Sequence, residues 1–261
     1  MNQKIGIGII TCNREDLFEK AYISLPEVDE IVVVNDGKSY GNSIYSTKFS
    51  EVIQHKKNKG ISRSKNDALK YLLSKNCEHI FLSEDDIAIK DHEIINEYIK
   101  ASYNTNILHF NYGYHGPWNK DENGPIIRRK IDYPDHVNIV FNKVLTGAFS
   151  YYRRNVLENV GMMDTFYKNV LEHVDHTYRI IKAGYHPPFK WFADLESSYY
   201  KIIELDPELE NSVIRKQKNI FNLKVKFFEK YFKMKFGYTP GSIPDSSEDQ
   251  LISYLGKNIG K

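Results

Sequence analysis

The first half of the chain alternates short apolar runs with amphipathic segments. The runs at 4–13, 29–37 and 79–83 have apolar centres rich in Val, Ile and Leu, which is typical of strands buried on both faces of a parallel sheet, and 51–55 is predicted as a further short strand. Between them, 14–25 and 61–75 carry apolar residues at helical spacing, and a third helix is predicted at 91–102. This alternation predicts an α/β fold, with a mixed, mostly parallel sheet and helices on both faces.

The second half is less regular. A strand is predicted at 106–112 and another at 144–154, with a helix at 170–185 that stops at Gly184. The segment between the two strands, 113–136, has no periodicity and is rich in Gly, Pro, Asn and charge, so we expect a long loop that is functional or mobile.

The C-terminal part changes in composition after Asp206-Pro207. Residues 211–238 alternate Lys and Arg with Phe, Ile, Leu, Tyr and Val, which predicts a basic amphipathic helix. We therefore expect a catalytic domain over 1–206 and a helical tail over 207–261. The tail either packs on the domain or lies on an anionic membrane surface.

Composition narrows the class of protein. A chain of 261 residues suits one large α/β domain with an appendage, and a net charge of only +2 argues against a dedicated nucleic-acid binder. The two cysteines form no CxxC pair, which favours a reducing cytoplasm. No stretch approaches the roughly 20 apolar residues of a membrane span. We expect a cytoplasmic protein, at most peripheral to the cytoplasmic face of a membrane.

Polar side chains follow three of the predicted strands where each strand ends. In an open parallel sheet the carboxyl ends of the strands share one edge, and ligands bind in the crevice outside it. The first strand contributes Thr11 and Asn13, the second Asn35 and Asp36, and the fourth Glu84, Asp85 and Asp86. We expect these groups to converge although they are far apart in sequence.

A basic loop lies near the same edge. The segment KNKGISR, 57–63, brings Lys59, Gly60 and Arg63 to the start of a predicted helix, where free backbone N–H groups favour a phosphate. The neighbouring carboxylates would repel a phosphate unless a divalent cation lies between them. Mg²⁺ and Mn²⁺ bind in this way, through one or two carboxylates and substrate phosphate oxygens. The alternative is that the acidic triplet caps the following helix and faces water.

Several segments together resemble a known family. IGIITCNRED, VDEIVVVNDG, NKGISRSKND, HIFLSEDDIAI and LEHVDHTYRIIKAGY resemble, in order and spacing, the family 2 glycosyltransferases of the GT-A fold, over roughly residues 4–195. The resemblance implies a GT-A fold and a pocket for a nucleotide-sugar donor, typically UDP-linked. It implies a donor-binding set of Thr11, Asn13, Arg14, Asn35, Asp36, Lys59, Gly60, Arg63, Asn66 and Asp85, in which Asp36 recognises the base. Glu84-Asp85-Asp86 stands where the family has Asp-x-Asp, which makes Asp86 the direct metal ligand.

The catalytic base departs from the family pattern. These enzymes commonly carry Glu-Asp at the head of a late helix, and here the pair is Glu172-His173. We leave the base open between Glu172, His173 and Asp175. Helical spacing places Glu172, Asp175 and His176 on one face, which favours the two carboxylates as base and His176 as a metal or phosphate ligand. The alternative is a charged helix face held by Glu172–His176 and Asp175–Arg179 pairs.

The prediction is a metal-dependent glycosyltransferase that uses Mn²⁺ or Mg²⁺. It would move a hexosyl or N-acetylhexosaminyl group from a UDP-sugar, with inversion, to a saccharide or lipid-linked glycan in surface polysaccharide biosynthesis. Within the long loop, Tyr114, His115 and Trp118 are either an aromatic platform for the acceptor or an ordinary surface segment. The alternatives are a nucleotidyltransferase and a catalytically inactive protein that binds sugar nucleotides.

Overall fold

The computed structural model describes residues 3–41, 45, 48, 51–133, 137–208 and 218–258. Within these ranges the strands are β1 (Ile5–Thr11), β2 (Glu30–Asn35), β3 (Glu51–Gln54), β4 (His79–Glu84), β5 (Ile87–Ile89), β6 (His109–Asn111), β7 (Lys120–Asp121), β8 (Gly124–Pro125), β9 (Arg129–Asp132), β10 (Asn138–Asn142), β11 (Phe149–Arg153), β12 (Phe192–Leu195) and β13 (Ile202–Glu204). The helices are α1 (Glu15–Ile23), α2 (Ile61–Ser74), α3 (Glu93–Thr105), α4 (Arg154–Val160), α5 (Glu172–Lys182), α6 (Ser198–Lys201), α7 (Lys218–Phe236) and α8 (Glu248–Asn258), with a short 3₁₀ turn at Pro240–Ser242.

The central sheet has six strands in the order β3–β2–β1–β4–β11–β6. Strands β1 to β4 are parallel to one another, and β11 runs antiparallel between β4 and β6. Successive side chains of a strand point to opposite faces. Accordingly Ile9 and Val33 join an apolar cluster on one face, whereas Ile10 and Val34 join a second cluster on the other. Helices cover both faces, and the predicted mixed, mostly parallel sheet is confirmed.

The segment 113–136 is more ordered than the sequence predicted, as far as it is described (to residue 133). It contains the β7–β8 hairpin and β9, which joins β10 and β12 in a second, antiparallel sheet. Tyr114 is fully buried and packs against Tyr199, and the Gly113 N–H donates to Asp194 at 2.8 Å. The expectation of a loop without secondary structure was wrong, because short strands two to four residues long show no hydropathy pattern.

The tail packs on the domain through one face of α7. Phe228 and Phe232 are buried in an apolar cluster with Tyr167 and Val174. Lys235 adds ion pairs at the end of the same helix. Residues 211–217 of the predicted tail helix lie outside the described residues. None of the helices within the described ranges is long and apolar enough to cross a membrane.

Candidate active site

A pocket of about 630 Å³ opens at the carboxyl edge of the central sheet, between β1, β4, the start of α5 and α7. Its wall includes Thr11, Asn13, Arg14, Asp36, Glu84, Asp85, Asp86, His115, Trp118, Gly147, Glu172, His173 and Lys224. The predicted convergence of polar groups from separate strands is therefore present, and α7 and the 113–121 turn contribute further walls.

One arginine holds two of the three adjacent acids, and we call Arg14, Asp85 and Asp86 the arginine cluster. Arg14 Nη1 donates to Asp86 at 2.9 Å, and Nη2 donates to Asp85. Asp85 also accepts a hydrogen bond from the Thr11 hydroxyl at 2.7 Å. Both carboxyl groups are almost fully buried, at 1% and 2% exposure. The cluster thus ties the end of β4 to the turn after β1.

The cluster leaves one acceptor unused. Within the described residues, Asp86 Oδ1 is buried and has no hydrogen-bond partner. His115 Nε2 lies 3.6 Å from Asp86 Oδ2, beyond hydrogen-bond distance, and is likewise without a partner there. One buried carboxylate oxygen and one buried ring nitrogen on the pocket wall are therefore available to a ligand.

The third acid belongs to a second group, the lysine cluster, made of Lys65, Glu84 and Glu172. Lys65 is 1% exposed, and its Nζ lies 2.8 Å from Glu84 and 3.1 Å from Glu172. It also donates to the Gly147 carbonyl at 2.9 Å, so all three of its donors are used. Sequence reasoning missed this residue, although Lys65 shares its helical stripe with Ala68, Leu69 and Leu72 of the core.

The pKa values of Asp85, Asp86 and Glu172 show that the acids of the two clusters are not equally neutralised by their cations. Burial raises the pKa of Asp85 to about 7 against the opposing effect of Arg14. Burial alone would also raise the pKa of Asp86, but His115 and Arg14 lower it to about 2. Burial opposes ionisation of Glu172 too, but Lys65 and then His173 lower its pKa to about 2. Asp86 and Glu172 are thus firmly ionised, whereas one guanidinium does not fully neutralise both acids of the arginine cluster.

The start of α5 places His173 on the pocket wall. Its side chain is 24% exposed, and its Nδ1 lies 3.3 Å from Glu172 Oε1. A Cβ built on Gly147 would lie 2.5 Å from His173 Cγ, so only glycine leaves room for this ring position. Glu172 borders the same pocket but is 3% exposed and committed to Lys65.

The structure does not bring Asp175 or His176 to the pocket, contrary to the face assignment made from helical spacing. Asp175 is fully buried and bonds to Arg179 at 3.0 Å and to Lys235. His176 lies in the domain interior, where its Nε2 donates to the Gly161 carbonyl at 2.9 Å, and burial lowers the pKa of His176 to about 3. The shared face of α5 points into the protein because Arg179 anchors it to the Val160 and Met162 carbonyls.

The predicted phosphate loop is bound to the sheet edge and reaches the pocket wall through Asn58 and Ile61, but not through Lys59, Gly60 or Arg63. Asp36 accepts the backbone N–H groups of Lys59 and Gly60 at 2.7 and 2.8 Å and contacts His55 at 2.6 Å. Both oxygens of Asp36 are therefore used within the chain, although its side chain still borders the pocket. The Lys59 ammonium points to Asp67 at 3.5 Å.

Three other residues that were predicted to bind the nucleotide-sugar donor lie away from the pocket wall. Asn66 is buried and bonds to the backbone of Met163. Asn35 bonds to the Gly37 N–H and the Lys38 carbonyl, which shapes the turn after β2. Arg63 is exposed on α2. Of the predicted donor-binding set, the pocket wall includes Thr11, Asn13, Arg14, Asp36 and Asp85.

A divalent cation fits the site through few protein ligands. Among the described residues no group of three or more His, Cys, Asp or Glu side chains is arranged to hold a metal ion. The predicted set of Asp86, Glu84 and His176 is not assembled, because Glu84 pairs with Lys65 and His176 lies in the interior. Asp86, however, offers a buried, ionised and unpartnered oxygen. One or two such ligands suffice for Mg²⁺ or Mn²⁺ when phosphate oxygens and water complete the shell.

Comparison with known proteins agrees with this fold. No family model matches the chain. An uncharacterized glycosyltransferase, R363, of Acanthamoeba polyphaga mimivirus is 25% identical over 240 residues, covering 85% of this chain and 90% of that protein.

Two solved structures are also similar. One is the mannosyltransferase PcManGT from Pyrobaculum calidifontis in complex with GDP-Man and Mn²⁺, with a TM-score of 0.57 at 13% identity, over 99% of this chain and 70% of that one. The other is S. aureus TarS 1–349, with a TM-score of 0.54 at 13% identity, over 98% of this chain and 82% of that one. The GT-A glycosyltransferase fold expected from the sequence is confirmed.

Proposed function

We propose that this protein is a metal-dependent glycosyltransferase that uses a nucleotide-sugar donor. The observation that carries the proposal is the pocket at the sheet edge, where two clusters hold four carboxylates against two side-chain cations. Such a wall repels a diphosphate unless a dication is added. The named activity of the mimivirus relative and the Mn²⁺ and GDP-Man of the archaeal structure support the same assignment.

The donor would lie along the edge of β1 and β4. Asp86 would hold Mn²⁺ or Mg²⁺, which when bound neutralises charge that develops on the departing diphosphate. Thr11, Asn13 and Asp36 border the pocket, and the nucleoside would lie against them, with UDP as the proposed nucleotide by resemblance to family 2. The transferred group would be a hexosyl or N-acetylhexosaminyl unit, and the acceptor a saccharide or lipid-linked glycan of a surface polysaccharide.

We assign the catalytic base to His173. A proton on Nδ1 is directed at Glu172 at 3.3 Å, which leaves Nε2 as the acceptor nitrogen. Glu172 itself is a poor base because its pKa is lowered to about 2. In the proposed step the acceptor hydroxyl gives its proton to Nε2 as its oxygen bonds the anomeric carbon and the bond to the diphosphate breaks. Attack from the side opposite the diphosphate inverts the configuration.

The experiment is nucleotide release from a panel of UDP- and GDP-sugars with Mn²⁺ and without it. We expect release with a UDP-sugar that requires the metal, and a decrease of about 10²-fold or more in Asp86→Ala. Asp132→Ala is the matched control, because Asp132 is 73% exposed in its side chain and far from the pocket in sequence and sheet. Release that is unchanged in Asp86→Ala would overturn the proposal, and release from GDP-sugars alone would overturn the choice of UDP.

We also propose a peripheral membrane contact through the described part of 211–238. Ile220, Leu223, Phe227 and Met234 are 48–83% exposed and lie within one narrow stripe of α7, next to the pocket mouth. Exposed lysines flank the stripe, at positions 224, 226 and 230. An apolar stripe bordered by lysines is complementary to a bilayer with anionic headgroups, where lipid-linked acceptors reside.

Vesicle sedimentation tests this contact. We expect the protein to bind vesicles that contain phosphatidylserine more strongly than vesicles of phosphatidylcholine alone. The double variant Leu223→Asp/Phe227→Asp should lose this binding. Ile126→Asp is the control, since Ile126 is 53% exposed on another surface. Equal binding of the double variant would contradict the proposed contact.

A further inference from the structure

We infer that His115 is the second protein ligand of the divalent cation, alongside Asp86. The inference rests on the proposed function, because it names a residue of the same site. The sequence placed His115 in a long irregular segment and suggested at most an acceptor platform. The structure puts its Nε2 on the pocket wall, 3.6 Å from Asp86 Oδ2.

The spacing of the two side chains suits a shared ion. A 3.6 Å separation is too long for a hydrogen bond. Two ligand atoms bound at about 2.1 Å in adjacent positions of an octahedral ion lie roughly 3 Å apart. Oδ2 is occupied by Arg14, so the ligand atom of Asp86 would be Oδ1, the other oxygen of the same carboxylate, and His115 Nε2 lies beside that carboxylate. His115 Nε2 and Asp86 Oδ1 are both without a hydrogen-bond partner among the described residues.

Both ligands are fixed by the same strand. The Asp86 carbonyl accepts the Leu205 N–H at 2.8 Å, and Glu204 pairs with Ile87, directly after Asp86. The Glu204 carboxylate in turn accepts the backbone N–H of Gly116, the residue after His115. β13 therefore positions both proposed ligand residues, Asp86 and His115, although they are separated by 29 residues in the chain.

The turn that carries His115 is held from a second side. Lys120 Nζ donates to the Tyr114 carbonyl at 2.7 Å and pairs with Glu204. Asn119 Nδ2 donates to the Gly113 carbonyl at 2.7 Å and to the Val144 carbonyl at 2.8 Å. Such fixed orientation of a ligand residue is what a metal site requires.

The mixed ligand set has a chemical consequence. One imidazole and one carboxylate favour Mn²⁺ over Mg²⁺, because imidazole suits transition metals whereas Mg²⁺ prefers oxygen ligands. The remaining positions would be filled by two diphosphate oxygens and water. The rival interpretation is that His115 is only a counter-charge for Asp86 and never contacts the ion.

Pulsed electron paramagnetic resonance of the full chain with Mn²⁺ and UDP separates the two interpretations, because a directly bound imidazole gives a ¹⁴N modulation on the Mn²⁺ signal. We expect that modulation in the natural protein and its loss in His115→Gln. The affinity for Mn²⁺, measured in the presence of UDP, should fall by about tenfold or more in the same variant. The matched control is His173→Gln, which should lose sugar transfer but keep the nitrogen modulation.

The outcomes distinguish this inference from the proposed function. Mn²⁺ that binds with UDP but shows the same modulation in His115→Gln, or none in the natural protein, overturns the role of His115 alone. Failure of Mn²⁺ to bind with any nucleoside diphosphate overturns the metal dependence of the proposed function as well. Circular dichroism of His115→Gln, expected to match the natural protein, shows that any lost modulation is not caused by unfolding.

Discussion

The arginine cluster and the lysine cluster divide three adjacent acids between them, and they do so differently. In the lysine cluster every donor of Lys65 is used, and Lys65 and Glu172 are buried, while Glu84 is 20% exposed on the pocket wall. In the arginine cluster the Arg14 side chain is 14% exposed, and Asp86 keeps an unpartnered oxygen. The first arrangement is complete without a ligand, whereas the second is complete only with one.

The difference answers why Glu84, Asp85 and Asp86 stand side by side at the end of a buried strand. Glu84 faces α2 and joins β4 to α5 through Lys65 and Glu172. Asp85 joins β4 to β1 through Thr11 and Arg14, which leaves Asp86 as the acid with spare capacity. A single acidic run therefore combines two structural residues with one ligand residue.

Removal of Lys65 should produce the largest effect. Lys65→Met leaves the buried Glu172 and the partly exposed Glu84 without their counter-charge, and breaking the buried Lys65–Glu172 pair in this way costs about 3–5 kcal/mol. Urea denaturation measures the change in the free energy of unfolding.

The control for this prediction is Lys70→Met on the exposed side of the same helix, expected to stay within about 0.5 kcal/mol of the natural protein. A loss in Lys65→Met no greater than that of the control would show that the lysine cluster is not structural.

The fold could be predicted further than the site. Continuous apolar runs and helical spacing fixed β1, β2, β4, α1, α2 and α5 to within a few residues, because burial on both faces of a sheet leaves a direct trace in hydropathy. The second sheet left no such trace. β9 is mostly exposed and only four residues long, and β12 is fully buried but equally short.

The sequence identified the residues of the candidate site that lie at strand ends, but not the residues from other elements that pair with them. Strand ends identified Thr11, Asp85 and Asp86 because topology alone brings them together. Lys65 and His115 are invisible to that argument, since each reaches the site from another element across many residues. The orientation of α5 was also beyond the sequence, because helical spacing tells which residues share a face but not which face meets the ligand.

An acid titration should show how tightly the lysine cluster is held. The pKa of Glu172 is lowered to about 2 in the folded protein, so its stabilising effect is complete above the unfolded value near 4.5 and is lost as the pH falls toward 2. Glu172→Gln removes this titration. The gap in unfolding free energy between the two proteins should therefore be about 2 kcal/mol smaller at about pH 3 than at about pH 7.

Urea denaturation at a series of pH values measures that gap. A control is Glu158→Gln, because Glu158 is half exposed and forms only a surface pair with Arg154. A gap that stays constant for Glu172→Gln from neutral to acid pH would mean that the Glu172 pKa is not lowered.

Loss of the cation from the arginine cluster should be partly offset by Mn²⁺, whereas loss of the cation from the lysine cluster should not. Arg14→Leu leaves Asp85 and Asp86 without their guanidinium, but Asp85, whose pKa is already raised to about 7, can take up a proton, so we expect a loss of only about 1–2 kcal/mol. Because the freed carboxylates can now take a dication, Mn²⁺ should raise the melting temperature of Arg14→Leu more than that of the natural protein. The same Mn²⁺ should leave the deficit of Lys65→Met unrepaired, since the space that the lysine leaves lies among buried groups, with Lys65 1% and Glu172 3% exposed. Equal stabilisation of both variants by Mn²⁺ would mean that the two clusters do not differ in access, and the division of the acidic triplet into structural and ligand residues would fail.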